Sequence, residues 1–126
     1  MTQVWELSAY EVLTAFRDKT LSPSELIAAL QQRVSTIDKV GDKPINAITE
    51  LLDDAMTAAK AADDYYVAAN FDPLGTGADA LAGLPVVTKE KHFLAGRTVS
   101  EGLQARADNV SAVTHPLTYR HHDIRK

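Results

Sequence analysis

The sequence feature that most constrains the fold is a helix-start signal that occurs twice near the beginning of the chain. The segment SPSE at 22–25 places a serine that can cap, a proline suited to the first helical position and a glutamate that can reach back to the serine amide. The segment SAYE at 8–11 has the same S-x-x-E pattern. Apolar residues at helical spacing follow each signal, which predicts helices over about 8–19 and 22–38.

An alanine-rich stretch predicts a third helix over about 53–69, with its aspartates on a solvated face. The short segment 46–51 before it follows a proline and is compatible with either a short strand or an extended entry to that helix. Residues 71–80 concentrate Pro, Gly and Asp and are expected to form a surface loop. These helices need one another, or a partner, to bury their apolar faces.

A continuous apolar run near position 85 predicts a strand. The run begins after Gly83, carries Pro85 at its start and ends in charged residues, so we expect a strand buried on both faces at about 84–89. A buried strand needs neighbours that pair its backbone groups, and the rest of that sheet is not visible in the sequence. The last residues, 120–126, are expected to be a polar tail.

Length and composition narrow the class of protein. The chain has 126 residues, 45% hydrophobic and 24% charged, which suits a single globular unit spanning 1–126. The net charge of −4 disfavours nucleic-acid and anionic-membrane binding. There is no cysteine, no stretch approaching about 20 apolar residues and no signal-peptide pattern, so we expect a cytoplasmic protein.

Lys89 is the sharpest candidate for chemistry. A lysine at the end of a buried strand can be desolvated, which favours its neutral form and lets it accept protons, and Ser-Lys pairs are a known variant of the serine triad. From position alone, a solvated lysine that closes a strand is the more common interpretation.

The order of these segments resembles the N-terminal part of the amidase signature family. The matching pieces are LSPSELIAALQQRVSTID, NAITE, AAKAAD and LAGLPVVTKE, at 21–38, 46–50, 58–63 and 81–90. The resemblance implies an α/β fold, with N-terminal helices and the first buried strand of a mixed sheet that is incomplete here. It also implies that Lys89 is the lysine of a Ser-cisSer-Lys triad, acting through the bridging serine to activate the nucleophilic serine.

The chain departs from the family pattern after Lys89. Leu103 stands where a serine is common, and the Gly/Ser-rich signature that supplies both triad serines in family members has no counterpart here. Ser100 and Ser111 lack the glycine-rich surroundings of that signature. The resemblance therefore implies a truncated or partial hydrolase of carbon–nitrogen amide bonds that acts on a small-molecule amide in its full form and is inactive alone.

The histidines do not define a metal site. His92 follows Lys89 closely and is interpreted as a loop histidine, although a second proton carrier or substrate contact is an alternative. The adjacent pair His121 and His122 has only Asp123 near it in sequence, and a metal needs more ligands than that. No cofactor is expected.

Two other interpretations remain open. The chain is alternatively a non-catalytic binding or assembly module, either as a homodimer or with a partner subunit that supplies the missing sheet. The sequence is also compatible with a small helical protein of unrelated role, in which Lys89 is a solvated residue next to the apolar run.

Overall fold

The computed structural model describes residues 2–38, 40–68 and 80–116 and divides the chain into two compact units, Met1–Pro85 and Val86–Lys126. A single unit was expected from the length. The first unit contains three α-helices in its described part, whose starts lie within two residues of the predicted ones. They are α1 (Ala9–Arg17), α2 (Pro23–Ile37) and α3 (Ala55–Val67), preceded by a short 3-10 helix at Val4–Glu6. The predicted end of the third helix, the loop at 71–79 and the tail at 120–126 lie outside the described residues.

Both helix-start signals form complete capping boxes. The Ser8 hydroxyl accepts a hydrogen bond from the Glu11 amide at 3.3 Å, and the Glu11 carboxylate accepts one from the Ser8 amide at 2.8 Å. At the start of α2 the corresponding distances between Ser22 and Glu25 are 3.2 and 2.8 Å. Each box satisfies amide groups that the helix itself leaves without a partner, which is why the chain turns helical at these points.

An aspartate from α3 completes the start of α2. Asp63 Oδ1 accepts a hydrogen bond from the Ser24 amide at 3.0 Å. Pro23 has no amide hydrogen, and the Glu25 amide is held by Ser22, so the first amide donors of α2 are satisfied. The expectation that this aspartate lies on a solvated face is wrong: it joins two helices that pack against each other.

The core of the first unit joins all three helices. The rings of Phe16 in α1 and Tyr66 in α3 pack in a tilted arrangement with centroids 5.4 Å apart, and α2 contributes the buried Leu26. The Tyr66 hydroxyl donates a hydrogen bond to the Ala82 carbonyl at 2.8 Å. Burial raises the pKa of the Tyr66 hydroxyl above its usual value. The chain at Ala82 is thereby fixed to the helical core.

Gly83 lies against the helices in a left-handed conformation. Its φ is +78°, and a Cβ added there would come within 2.6 Å of Pro23 Cγ and 3.2 Å of Ala62 Cβ. Only glycine fits this approach without strain.

Asp38 ends α2 and organises the loop that follows. Its side chain is 4% exposed, and its two carboxylate oxygens accept hydrogen bonds from the Ala47 and Ile48 amides at 2.7 and 3.1 Å. Its carbonyl accepts a further one from the Asn46 amide at 2.8 Å. The segment 46–51, left open between a short strand and an extended entry to α3, contains no strand, and its first residues are held to the end of α2.

The predicted α/β fold with a mixed sheet is wrong. No strand or sheet is present among the described residues, and residues 84–89 have neither regular secondary structure nor strand pairing. Val86 and Val87 are 59% and 79% exposed, where burial on both faces was expected. A strand exists only through hydrogen bonds to a neighbour, and the described chain supplies none for this segment. The structure is that of a small helical protein.

The second unit is built from turns. Thr98 and Val110 form an isolated antiparallel bridge, flanked by hydrogen bonds from the Val99 amide to the Asn109 carbonyl and from the Ser111 amide to the Arg97 carbonyl, at 2.8 and 3.0 Å. A 3-10 helix, Gln104–Arg106, lies within the connecting loop.

The helices in the described part of the chain are all too short or too polar to cross a membrane.

Candidate functional site

Lys89 lies near the start of the second unit, which begins at Val86. Its side chain is exposed, in contrast to the desolvated lysine that a buried strand would have given. Its carbonyl accepts a hydrogen bond from the His92 amide at 2.8 Å, which closes a turn over 89–92. Lys89 therefore lies between the irregular segment 84–88 and the turn at 89–92.

The next residue, Glu90, is held by Ser100. Glu90 Oε1 accepts hydrogen bonds from both the amide and the hydroxyl of Ser100, each at 2.6 Å. The Ser100 hydroxyl and then the Ser100 amide hold the pKa of the Glu90 carboxyl below its usual range, because both stabilise the charged form. Glu90 is consequently a carboxylate with defined partners.

The loop that receives this carboxylate has an unusual backbone. Glu101 and Gly102 have φ values of +52° and +76°, so two successive residues are in the left-handed region. The Gly102 amide donates a hydrogen bond to the Ser100 hydroxyl at 3.2 Å, and the Glu101 and Gly102 amides contribute, after Ser100, to the lowered pKa of the Glu90 carboxyl. The side chains of Glu101 and Arg106 form an ion pair on the same loop. The Glu90 carboxylate is thus held by a loop of the same unit.

The two serines nearest in sequence after Lys89 are engaged elsewhere. The Ser100 hydroxyl donates to Glu90, and the Ser111 hydroxyl donates to the Val113 carbonyl at 2.7 Å. Among the described contacts, neither hydroxyl is hydrogen-bonded to Lys89. The structure therefore does not assemble a Ser-Lys pair from these residues.

His92 packs beside a second histidine. The rings of His92 and His115 have centroids 5.1 Å apart, and the Phe93 ring meets His115 edge-on at 5.2 Å. The His115 amide also donates to the Phe93 carbonyl at 2.8 Å. In residues 2–38, 40–68 and 80–116, no group of three or more His, Asp or Glu side chains is placed to hold a metal ion. His121 and His122 lie outside the described residues.

Sequence reasoning named Lys89 but missed its neighbour's contact with Ser100. Little in the sequence indicates this contact, because the turns between Glu90 and Ser100 bring the two residues, ten positions apart, within hydrogen-bonding distance. Asp38 and Asp63 were missed for the same reason: each binds an amide distant in sequence, and the sequence shows only an acid in or beside a helix.

Comparisons with known proteins add no family. No protein-family model matches the chain, and searches of curated proteins and of solved structures found no match.

Proposed function

We propose that this chain carries the lysine of an amidase-signature hydrolase of carbon–nitrogen amide bonds and is not catalytically competent alone. The proposal depends on the order of the four segments at 21–38, 46–50, 58–63 and 81–90, which resembles that of the amidase signature family. In this proposal Lys89 is the base, and both serines come from residues that the present sequence does not contain. The substrate is a small-molecule amide.

The observation that carries the proposal is the setting of Lys89. Its side chain is exposed, and the hydroxyls of Ser100 and Ser111 are already bonded to other groups. An amine that is to activate a serine must be accessible to the hydroxyl that it deprotonates. Lys89 meets this condition for a serine supplied from outside the described residues.

The chemistry proposed for the completed site is acyl transfer. The nucleophilic serine Oγ attacks the amide carbonyl carbon while its proton passes through the bridging serine to the neutral amine of Lys89. The C–N bond then breaks, the proton goes to the leaving amine, and water hydrolyses the acyl-serine. A lysine acts as a base only when neutral, a form that burial in a completed site favours.

The direct test is to sequence the gene beyond the codon for Lys126 and to express any longer reading frame. We expect a Gly/Ser-rich signature downstream and a product whose amide hydrolysis is lost in Lys89→Ala. Lys91→Ala is the matched control, because Lys91 is also exposed and lies two positions away. Absence of that signature in every frame, or hydrolysis that survives Lys89→Ala, would reject the proposal.

A binding or assembly module is the second candidate, favoured by the exposure of Val86 and Val87. Adjacent exposed valines on extended chain suit pairing with another protein segment. In that case Val87→Asp abolishes association, while Lys89→Ala leaves association unchanged. Loss of amide hydrolysis in Lys89→Ala, with association unaffected by Val87→Asp, supports the hydrolase instead. For both candidates we place the protein in the cytoplasm, since a chain without cysteine suits a reducing compartment.

A further inference from the structure

Lys89 lies where no sheet holds the backbone. In the described part of the chain, residues 86–88 form no hydrogen bond, and Val86 and Val87 are exposed. A residue at the end of such a segment needs another anchor if its side chain is to keep a direction. Any such anchor must lie on the C-terminal side of Lys89.

The contacts on that side are short and charge-assisted. Glu90 Oε1 accepts from both donors of Ser100 at 2.6 Å, and the Lys89 carbonyl accepts from His92. Hydrogen bonds to a carboxylate are roughly twice as strong as neutral ones. Since neighbouring Cα atoms are about 3.8 Å apart, fixing Glu90 restricts the main chain from which the Lys89 side chain extends.

The anchor itself is fixed. Val99 next to Ser100 is buried at 6% exposure, and its amide and carbonyl are bonded to the backbone carbonyl and the side-chain amide of Asn109, at 2.8 and 3.1 Å. The Ser100 carbonyl accepts from the Leu103 amide at 2.9 Å. A carboxylate bound to Ser100 is therefore bound to the ordered part of the second unit.

From these contacts we propose that Glu90 is the positioning residue for Lys89, acting through its hydrogen bonds to Ser100. The two hydrogen bonds from Ser100 to Glu90 Oε1 fix Glu90 and thereby hold the backbone at Lys89. This inference rests on the proposed function for its catalytic meaning, while the positioning itself is a property of the 126-residue chain.

The test uses backbone NMR on the ¹⁵N-labelled 126-residue chain without substrate. In the unchanged chain we expect an order parameter of about 0.85 for the Lys89 amide, as in rigid backbone. In Glu90→Ala and in the milder Ser100→Ala it should fall below about 0.6, and the Ser100 amide should exchange about tenfold faster in Glu90→Ala. Ser100→Thr keeps the hydroxyl and should restore the value, and Lys91→Ala is the matched control that leaves it unchanged.

Two results overturn the inference. One is an Lys89 amide that is already mobile in the unchanged chain. The other is an order parameter that stays high in both Glu90→Ala and Ser100→Ala, which would limit the contact to a role in loop stability. These readouts need neither serine nor substrate, so they stand or fall independently of the amidase proposal.

Where a longer product hydrolyses amides, the same variants separate the two proposals. Glu90→Ala should then lower kcat at least about tenfold while KM changes by less than about threefold, because positioning acts on the reacting lysine and not on substrate binding. An unchanged kcat in that variant, together with loss of activity in Lys89→Ala, would reject the positioning role and leave the proposed function intact.

Discussion

Gly83 shows how one residue fixes the path of the chain back onto the helices. The Tyr66 hydroxyl binds the Ala82 carbonyl, and the next residue must approach Pro23 at the start of α2. This approach leaves no space for a side chain, and the left-handed backbone at Gly83 excludes most other residues. Gly83 and Tyr66 together attach the chain at residues 82–83 to the core.

Gly83→Ala should therefore destabilise the protein by about 2–4 kcal/mol, from backbone strain together with the overlap with Pro23. Gly41→Ala is the matched control, because Gly41 has φ +93° with nothing within 4 Å of the added Cβ. It should show the backbone cost alone, of about 1 kcal/mol. Chemical denaturation measures both, and equal losses for the two variants would mean that the segment at 83 is not packed against α2.

At the scale of elements, each of the first two helices begins at a capping box. Ser22 is bonded through both its backbone and its side chain to Glu25, and Asp63 adds a contact from α3. Capping is a local interaction, so these starts can be predicted from four adjacent residues.

Ser22→Ala should cost about 1 kcal/mol through the lost cap, lowering the thermal midpoint by about 4–8 °C. Ser35→Ala is the control within the same helix: its hydroxyl donates only to the Gln32 carbonyl of the preceding turn, so the change should stay within about 0.5 kcal/mol. A thermal melt in which Ser22→Ala behaves like Ser35→Ala would place the functional start of α2 elsewhere.

The first capping box should also be visible in acid titration. The Ser8 hydroxyl, and then the Ser8 amide, hold the pKa of the Glu11 carboxyl below its ordinary value of 4.5. Because the native pKa is the lower one, the box contributes its full stability above pH 4.5 and loses it as the pH falls through the lowered value. NMR titration of the Glu11 side chain should show this shift, and Ser8→Ala should return the pKa toward 4.5. Identical titrations in the two proteins would contradict the capping contact.

The strand at 84–89 could not be predicted in the same way, because strand formation depends on residues elsewhere. Four apolar residues before a lysine fit a buried strand, yet Val86 and Val87 are exposed and the described chain offers no pairing partner. The candidate site shows the same limit. Lys89 was identified from its motif, whereas its exposure and the bond between Glu90 and Ser100 depend on turns that the sequence pattern does not specify.

At the scale of the whole molecule, the described chain has a helical unit with a shared core and a second unit built from turns. The first can be understood from its caps and buried side chains. The second opens with exposed valines, an arrangement that invites pairing with another chain.

We expect the protein to self-associate, most simply as a dimer in which the segment 84–89 takes part. Light scattering at several concentrations should show a mass above that of one chain, and Val87→Lys should reduce it. Val40→Lys is the control, since Val40 is likewise exposed, at 59%, but lies in the first unit. A strictly monomeric protein at every concentration would contradict this expectation, and strong protection of the amides at 84–89 in that monomer would mean that their pairing partners lie within the chain.

The central claim is that Lys89 belongs to an amide-hydrolysing triad whose serines this chain does not supply. Incubation of the purified 126-residue protein with aliphatic and aromatic amides tests it most directly. We predict no hydrolysis above the buffer background, because the mechanism requires a nucleophilic serine as well as its base. Hydrolysis that is abolished by Lys89→Ala and by a serine-directed inhibitor, but not by Lys91→Ala, would contradict the claim.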